Sequence, residues 1–192
     1  MQVSWQTLQE QVSQCISCPL CAHRTHTVFG EGNPHASLLF VGEGPGADED
    51  RMGRPFVGRA GQLLDRMIQA MGLQREDVYI ANVVKCRPPG NRTPLPEEMQ
   101  ACLPYLRGQF ALIRPKVIVC LGATAARAII SEDIRITRDR GIWVNKKGVW
   151  IMPTYHPAAL LRDPTKKRET WQDLQEVMKK LEETDVQNTA SE

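Results

Sequence analysis

Residues 38–50 read Leu-Leu-Phe-Val-Gly-Glu-Gly-Pro-Gly-Ala-Asp-Glu-Asp, and no other stretch constrains the fold as tightly. An apolar run stops inside a segment of three glycines and a proline. Leu38 to Val41 has the character of a strand buried on both faces. Gly42-Glu43-Gly44-Pro45-Gly46 cannot extend it, so the chain turns sharply at the strand's carboxyl end. Ligands of open α/β sheets bind at that end of the strands. Glu43 is therefore a carboxylate fixed in a glycine-lined turn. It either fills the turn by accepting backbone N–H bonds or takes part in chemistry.

Four short aliphatic runs read as strands: residues 37–41, 78–83, 116–121 and 149–154. Helical patterns lie between them. Residues 60–71 place Leu63, Leu64, Met67, Ile68 and Met71 on one face, with Gly72 as a stop. Residues 96–113 form a second helix, with a break or fraying expected at Pro104. Shorter helical stretches follow at 123–130 and 170–181. This order predicts an α/β fold: a three-layer α/β/α sandwich with a central, mostly parallel four-stranded sheet. A single domain is expected over residues 1–184, with a disordered tail over 185–192.

The unusual residues fall just past the strand ends. Gly42–Gly46 follows the first strand, Asn82 and Lys85-Cys86-Arg87-Pro88-Pro89 end the second, Gly122-Ala123 follows the third, and His156-Pro157 follows the fourth. In a doubly wound sheet these places converge on one crevice. Asn82 is either a strand-end cap or a reader of a base edge, since an amide offers both an acceptor and donors. His156 precedes a proline, so its backbone is extended, and it is suited to donate to a leaving anion. Phe56, between Gly53 and Gly58, is either a core plug or a stacking platform.

Charge is uneven. Residues 1–50 hold one basic residue, Arg24, against six acids, while the other 142 hold 23 Lys and Arg against 16 acids. Basic groups cluster at Arg135, Arg138, Arg140, Lys146 and Lys147, and again at Arg162, Lys166, Lys167 and Arg168. Such clusters either neutralise phosphates or form a solvated face. No apolar run approaches the roughly 20 residues that span a bilayer. No secretory signal is visible at Met1, so a cytoplasmic protein without membrane contact is expected.

Six cysteines in such a chain do not suggest a disulfide framework. Cys15, Cys18 and Cys21 form C-x2-C-x2-C. Cys86 and Cys102 bracket a proline-rich loop. The C-x2-C spacing lets two thiolates face one metal or cluster, and four are needed for a cubane cluster or a structural zinc. Spacing alone does not separate the two. Cys120, among Ile118, Val119 and Leu121, reads as an inert core thiol. There is no G-x-S-x-G and no G-x-x-x-x-G-K-[ST].

Taken together, these residues resemble the uracil-DNA glycosylase superfamily, and within it the family-four, iron–sulfur branch. The similarity runs from Cys15 to Leu181. Four blocks carry it: Cys15-x2-Cys18, GEGPGADEDRMGRPFVGRAGQLLD from Gly42, NVVKCRPPGNRTPLPEE from Asn82, and HPAALLRDP from His156. The resemblance implies a monofunctional DNA-repair enzyme that flips uracil out of single- or double-stranded DNA and hydrolyses its N-glycosidic bond. It implies a [4Fe–4S] cluster on Cys15, Cys18, Cys86 and Cys102, with Cys21 at a non-ligand position. Glu43 would act with the attacking water, and His156 would bond the uracil oxygen that gains charge. Phe56 would stack on uracil, Asn82 would bind its polar edge, Gly44 would admit the base, and Glu49 would wall off a 5-methyl group. Leu160, Leu161 and Arg162, in a loop past His156, would wedge and hold DNA. A sister family traps its product covalently through a histidine in an inserted basic loop. Here that place reads RPPGNRTPL, without insertion or histidine, so turnover is expected. A monomer is expected, and nothing in the sequence points to a sliding-clamp partner. The rival readings are a non-catalytic iron–sulfur module and a hydrolase of free nucleosides.

Overall fold

The computed structural model describes residues 3–189. Four parallel strands form the centre: β2 (Leu38–Gly42), β3 (Tyr79–Asn82), β4 (Val117–Leu121) and β6 (Val149–Thr154). Two short strands, β1 (Glu31–Gly32) and β5 (Val144–Lys146), pair antiparallel at the two edges. The sheet therefore has six strands, in the order β1-β3-β2-β4-β6-β5, rather than the four expected. Both additions are too short to carry a readable alternation. β1 is two residues, one a glycine. β5 is three residues joined to β6 by Lys147 and Gly148, whose φ values of 53° and 87° suit a tight two-residue hairpin turn.

Among the described residues eight α-helices cover the sheet: α1 (Trp5–Ser13), α2 (Ala47–Met52), α3 (Arg59–Ala70), α4 (Pro96–Ile113), α5 (Ala123–Ile129), α6 (Ile136–Asp139), α7 (Pro157–Arg162) and α8 (Lys167–Thr189). α3 buries Leu63, Leu64, Met67 and Ile68, and together with Leu160 of α7 and Leu174 and Val177 of α8 packs on Leu38, Phe40, Ile80 and Val119. On the opposite face, Leu106 and Ile113 of α4 and Ala125 and Ala126 of α5 meet Leu39, Val41, Ile118 and Cys120. The alternation of inward positions along β2 thus serves two cores, which makes the three-layer sandwich.

α4 runs unbroken through Pro104. Pro104 and Gln100, whose carbonyl the proline frees, are both exposed, so water can satisfy that carbonyl. α8 continues to Thr189, through the start of the segment expected to be a tail, and residues 190–192 lie outside the described residues. Among the described residues no helix is long and apolar enough to cross a membrane.

β2 is followed by β3 on one side and β4 on the other. The order reverses between β2 and β4, so the crevice opens at the carboxyl ends of those two strands. Glu43 follows β2 there, and Gly122-Ala123-Thr124 follows β4.

Candidate active site

A cleft of about 700 Å³ occupies that switch point. Glu43, Gly44, Glu49, Phe56, Asn82 and His156 all line it, so the fold brings together residues spread over more than a hundred positions. Arg162 stands at its wall, and Pro88, Asn91 and Arg92 bring in the proline-rich loop.

Glu43 is held at both its backbone and its side chain. Its carbonyl accepts the Val84 N–H at 3.1 Å, which ties the turn to the end of β3. Its Oε2 accepts the Thr124 hydroxyl at 2.5 Å. Glu43 itself lines the cleft. The neighbouring glycines serve space rather than unusual dihedrals. A β-carbon on Gly42 would lie 2.5 Å from Phe56 Cζ and 2.6 Å from Asn82 Oδ1, and one on Gly44 would lie 2.6 Å from Val84 Cγ2.

Asn82, the last residue of β3, is 2% exposed. Its Oδ1 is buried and has no hydrogen-bond partner among the described residues. An unpaired buried acceptor costs about 1–3 kcal/mol. A cleft-lining amide that bears this cost is set to receive a donor from a ligand.

Phe56 adopts φ 49°, in the left-handed region that a residue with a β-carbon enters at a cost of about 1–3 kcal/mol. Its ring lies 5.6 Å from the His156 ring at an interplanar angle of 30°. Glu49 stabilises the same loop. Its Oε1 accepts the N–H groups of Val57 and Gly58, both at 2.9 Å, and its Oε2 accepts the Gly46 N–H at 3.1 Å. With its carboxylate so engaged, Glu49 is a fixed wall of the cleft.

His156 is the extended N-cap of α7, as the following proline requires. Its Nδ1 accepts the Ala158 N–H at 3.0 Å. A backbone N–H can only donate, so Nδ1 carries a lone pair and the ring proton sits on Nε2. Burial pushes the imidazole down to about 4, with Arg162 adding to the effect and Glu49 opposing it. At neutral pH His156 is an uncharged donor.

Leu160, Leu161 and Arg162 are not in a loop. They form the last half of α7, and Leu160 is 1% exposed within the core. The expected loop is therefore corrected to a helix, in which the Leu160 side chain packs into the core. Leu161 is half-buried and Arg162 exposed. Among the basic clusters, Arg140 pairs with the buried Asp173 at 2.7 Å and Arg138 with Asp139 at 2.7 Å, while Lys146 donates to the carbonyls of Ile129 and Ile130. These groups are engaged in holding the fold.

A second pocket gathers five cysteines: Cys15, Cys18, Cys21, Cys86 and Cys102. All are free thiols. The Ser17 N–H donates to Cys15 Sγ at 3.5 Å, Arg24 Nη1 to Cys86 Sγ at 3.3 Å, and the Lys85 N–H to Cys102 Sγ at 3.2 Å. Burial raises the Cys102 thiol to about 11 against the pull of Lys85, whereas hydrogen bonds from Ser17 and Tyr105 outweigh burial and hold Cys15 below the usual thiol range. The wall contains Arg24 and Lys85 and, among the described residues, no carboxylate. Lys85 is 1% exposed, and its ammonium donates to Asn82 O at 3.0 Å and Gln109 Oε1 at 2.7 Å, both neutral. Burial pushes the Lys85 ammonium down to about 8, against the pull of Cys102, and the charged side chains of this wall are both basic. No three His, Cys or acidic side chains among the described residues converge on a single-ion site. Cys120 is fully buried in β4, away from this pocket, and burial raises its thiol strongly.

Residues 29–175 match the family model of the "Uracil DNA glycosylase superfamily". The chain belongs to that superfamily. A type-4 uracil-DNA glycosylase of Thermotoga maritima is 52% identical over 160 residues, covering 81% of this chain and 82% of its own. One of Sulfurisphaera tokodaii is 46% identical over 183 residues, 91% of this chain and 83% of its own. A type-5 enzyme of Pyrobaculum aerophilum is 36% identical over 146 residues, 67% of this chain and 64% of its own.

In this superfamily member, several groups at the site had no sequence signal of their own. Thr124 sits in an alanine-rich helix start, Arg24 in a polar turn, and Lys85 beside a cysteine that draws the attention. Gly42 was legible only as a turn former, yet its role is to let Phe56 and Asn82 close in on β2.

Proposed function

We propose that this chain is a monofunctional uracil-DNA glycosylase of DNA repair, hydrolysing the bond between uracil and deoxyribose to leave an abasic site. The unpartnered Asn82 Oδ1 at the head of the cleft carries this reading. Uracil presents an N3–H donor to it, and cytosine, with a bare N3 acceptor, does not. A site that leaves a buried acceptor unpaired against the wrong base discriminates strongly. The Asn82 amide nitrogen offers donors to uracil O4.

The base must leave the stack to reach Asn82, and flipping costs a few kcal/mol. Stacking on Phe56 offsets part of this, and Gly44 gives the base room along the backbone. Glu49, held by three N–H groups, stands as the wall against a 5-methyl group. As the C1′–N1 bond breaks, its electron pair moves onto the base, and the uracil anion is stabilised at O2 by His156 Nε2–H. A neutral donor keeps its proton while the charge develops. Glu43 faces the cationic sugar and orients water, whose oxygen bonds C1′ while its proton is released and the uracil anion is protonated. No lysine among the described residues lines the cleft, so no amine is placed to form a Schiff base with the sugar.

Arg162 at the cleft wall is suited to a phosphate, with Leu161 beside it.

The cysteine pocket is suited to a [4Fe–4S] cluster on Cys15, Cys18, Cys86 and Cys102, with Cys21 a neighbour in the same wall. The donor set fits. A cubane takes one thiolate at each iron, so its ligands need not converge on a point, and its ligated form is anionic, which suits a wall that holds Arg24 and Lys85. The cluster would anchor the loop between Cys86 and Cys102, and with it Arg92 at the cleft.

The deciding experiment incubates purified protein with a uracil-containing oligonucleotide, single- and double-stranded, without added metal or nucleotide. Alkali should then cleave the strand at the former uracil. An intact strand would sink the assignment in favour of a non-catalytic iron–sulfur module.

A further inference from the structure

Phe56 is held in its left-handed conformation from outside the cleft. Arg75, in a short 3-10 turn after α3 (Arg75–Asp77), is not part of the cleft lining. Its Nη1 donates to Phe56 O at 3.0 Å, and its Nη2 donates to Pro55 O. The same guanidinium is fixed by Asp65 Oδ1 at 2.7 Å and by Glu31 Oε2 at 3.0 Å. Its side chain is 18% exposed.

The loop is thus gripped from two sides. Arg75 takes the carbonyls of residues 55 and 56, and Glu49 takes the N–H groups of residues 57 and 58. α3 closes the third side, since a β-carbon on Gly61 would lie 1.9 Å from Phe56 O. Two adjacent carbonyls that accept from one planar fork have their peptide orientation fixed as no single point charge could fix it. Phe56 gains nothing locally from φ 49°, so the conformation persists only while such contacts over-determine it.

We propose that Arg75 is a positioning residue for base recognition: it sets the plane of the Phe56 ring, and through it the affinity for uracil. The inference rests on the reading that Phe56 stacks on uracil. Arg75 touches neither base nor sugar. Asp65 and Glu31 act by holding the fork, which links the far edge strand β1 to the cleft.

The test uses the whole protein and reads inhibition by free uracil alongside kcat and KM on a uracil oligonucleotide. Four variants are compared: Arg75→Gln, Arg75→Lys, Phe56→Leu, and the double variant Phe56→Leu/Arg75→Gln. Arg75→Gln should weaken uracil inhibition roughly tenfold, a loss within what one base stack is worth, while binding to uracil-free duplex stays at the wild-type level. Arg75→Lys keeps the charge beside Glu31 and Asp65 but loses the fork. It should show the same loss, and it serves as the reading if the glutamine variant does not fold. Phe56→Leu/Arg75→Gln should bind uracil no worse than Phe56→Leu alone, because both act on one ring. A merely structural role predicts additive losses, and uniformly lower duplex binding. Wild-type uracil inhibition in folded Arg75→Lys, or additivity in the double variant, would overturn the inference while leaving stacking intact. Wild-type inhibition in Phe56→Leu would instead remove the stacking reading, and the inference with it.

Discussion

Thr124 Oγ1 donates to Glu43 Oε2 at 2.5 Å, and this bond crosses the switch point of the sheet. Glu43 follows β2 and Thr124 opens α5 after β4. The two strands diverge in connection there, so the bond fixes the carboxylate from the opposite lip of the crevice. A group that must face a developing charge benefits from such fixing, because it then needs no reorganisation during the reaction.

Removing the hydroxyl should therefore cost rate rather than binding. Thr124→Val is expected to lower the single-turnover rate of uracil release about tenfold to a hundredfold, with DNA affinity unchanged. Thr124→Ser should restore most of it. Glu43→Gln should lose a hundredfold or more and still bind DNA. Rapid-quench measurements on a uracil oligonucleotide check all three, and a wild-type rate in Glu43→Gln would take the carboxylate out of the chemistry.

The pH dependence follows from His156. Its folded-state value of about 4 lies below the ordinary histidine value, with burial the main cause and Arg162 a second, against Glu49. Between pH 6.5 and 4 the unfolded chain holds this proton and the native protein does not. The contribution to stability is complete above pH 6.5 and is lost on acidification towards 4, by about 3 kcal/mol. Urea unfolding midpoints should fall across that window, and His156→Gln should flatten that part of the fall. An imidazole signal assigned to His156 that titrates near 6.5 would contradict the neutral-donor geometry.

Much of this site was legible because its residues are locally out of place. Glycines and a proline after an apolar run, an asparagine ending a strand, and a histidine before a proline each violate what the surrounding element prefers. The fold then needs only the strand order to gather them. Thr124 is invisible in sequence for the opposite reason: Gly-Ala-Thr-Ala-Ala reads as an ordinary helix start, and its meaning comes from a neighbour 81 residues away. Arg75 is likewise an ordinary surface arginine until the loop carbonyls it holds are seen. β1 and β5 escaped because two or three residues cannot display a period. Leu160 was placed in a loop past His156, yet the six residues Pro157–Arg162 suffice for a helix that buries it.

The cysteine pocket makes a compositional prediction. Protein purified without oxygen should be brown and contain iron. Cys86→Ser should lose the iron, since Cys86 is one of the four proposed ligands and is 6% exposed in the pocket wall. Cys21→Ser should keep it. Iron analysis and the visible absorption spectrum read both, and a colourless sample with stoichiometric zinc would replace the cluster by a single-ion site.

The helix after His156 separates packing from DNA contact. Leu160 is 1% exposed against the core, so Leu160→Ala should cost about 2–5 kcal/mol of stability by leaving a cavity. Once corrected for the folded fraction, its DNA affinity should match wild type. Arg162 is exposed at the cleft wall. Arg162→Ala should leave the melting temperature unchanged, weaken binding to DNA of any sequence, and reduce the slope of log affinity against log salt by about 1. Titrations of labelled duplex at several salt concentrations measure that slope. An unchanged slope would place Arg162 outside the phosphate contacts, and a specific loss of uracil release in folded Leu160→Ala would return that side chain to the DNA.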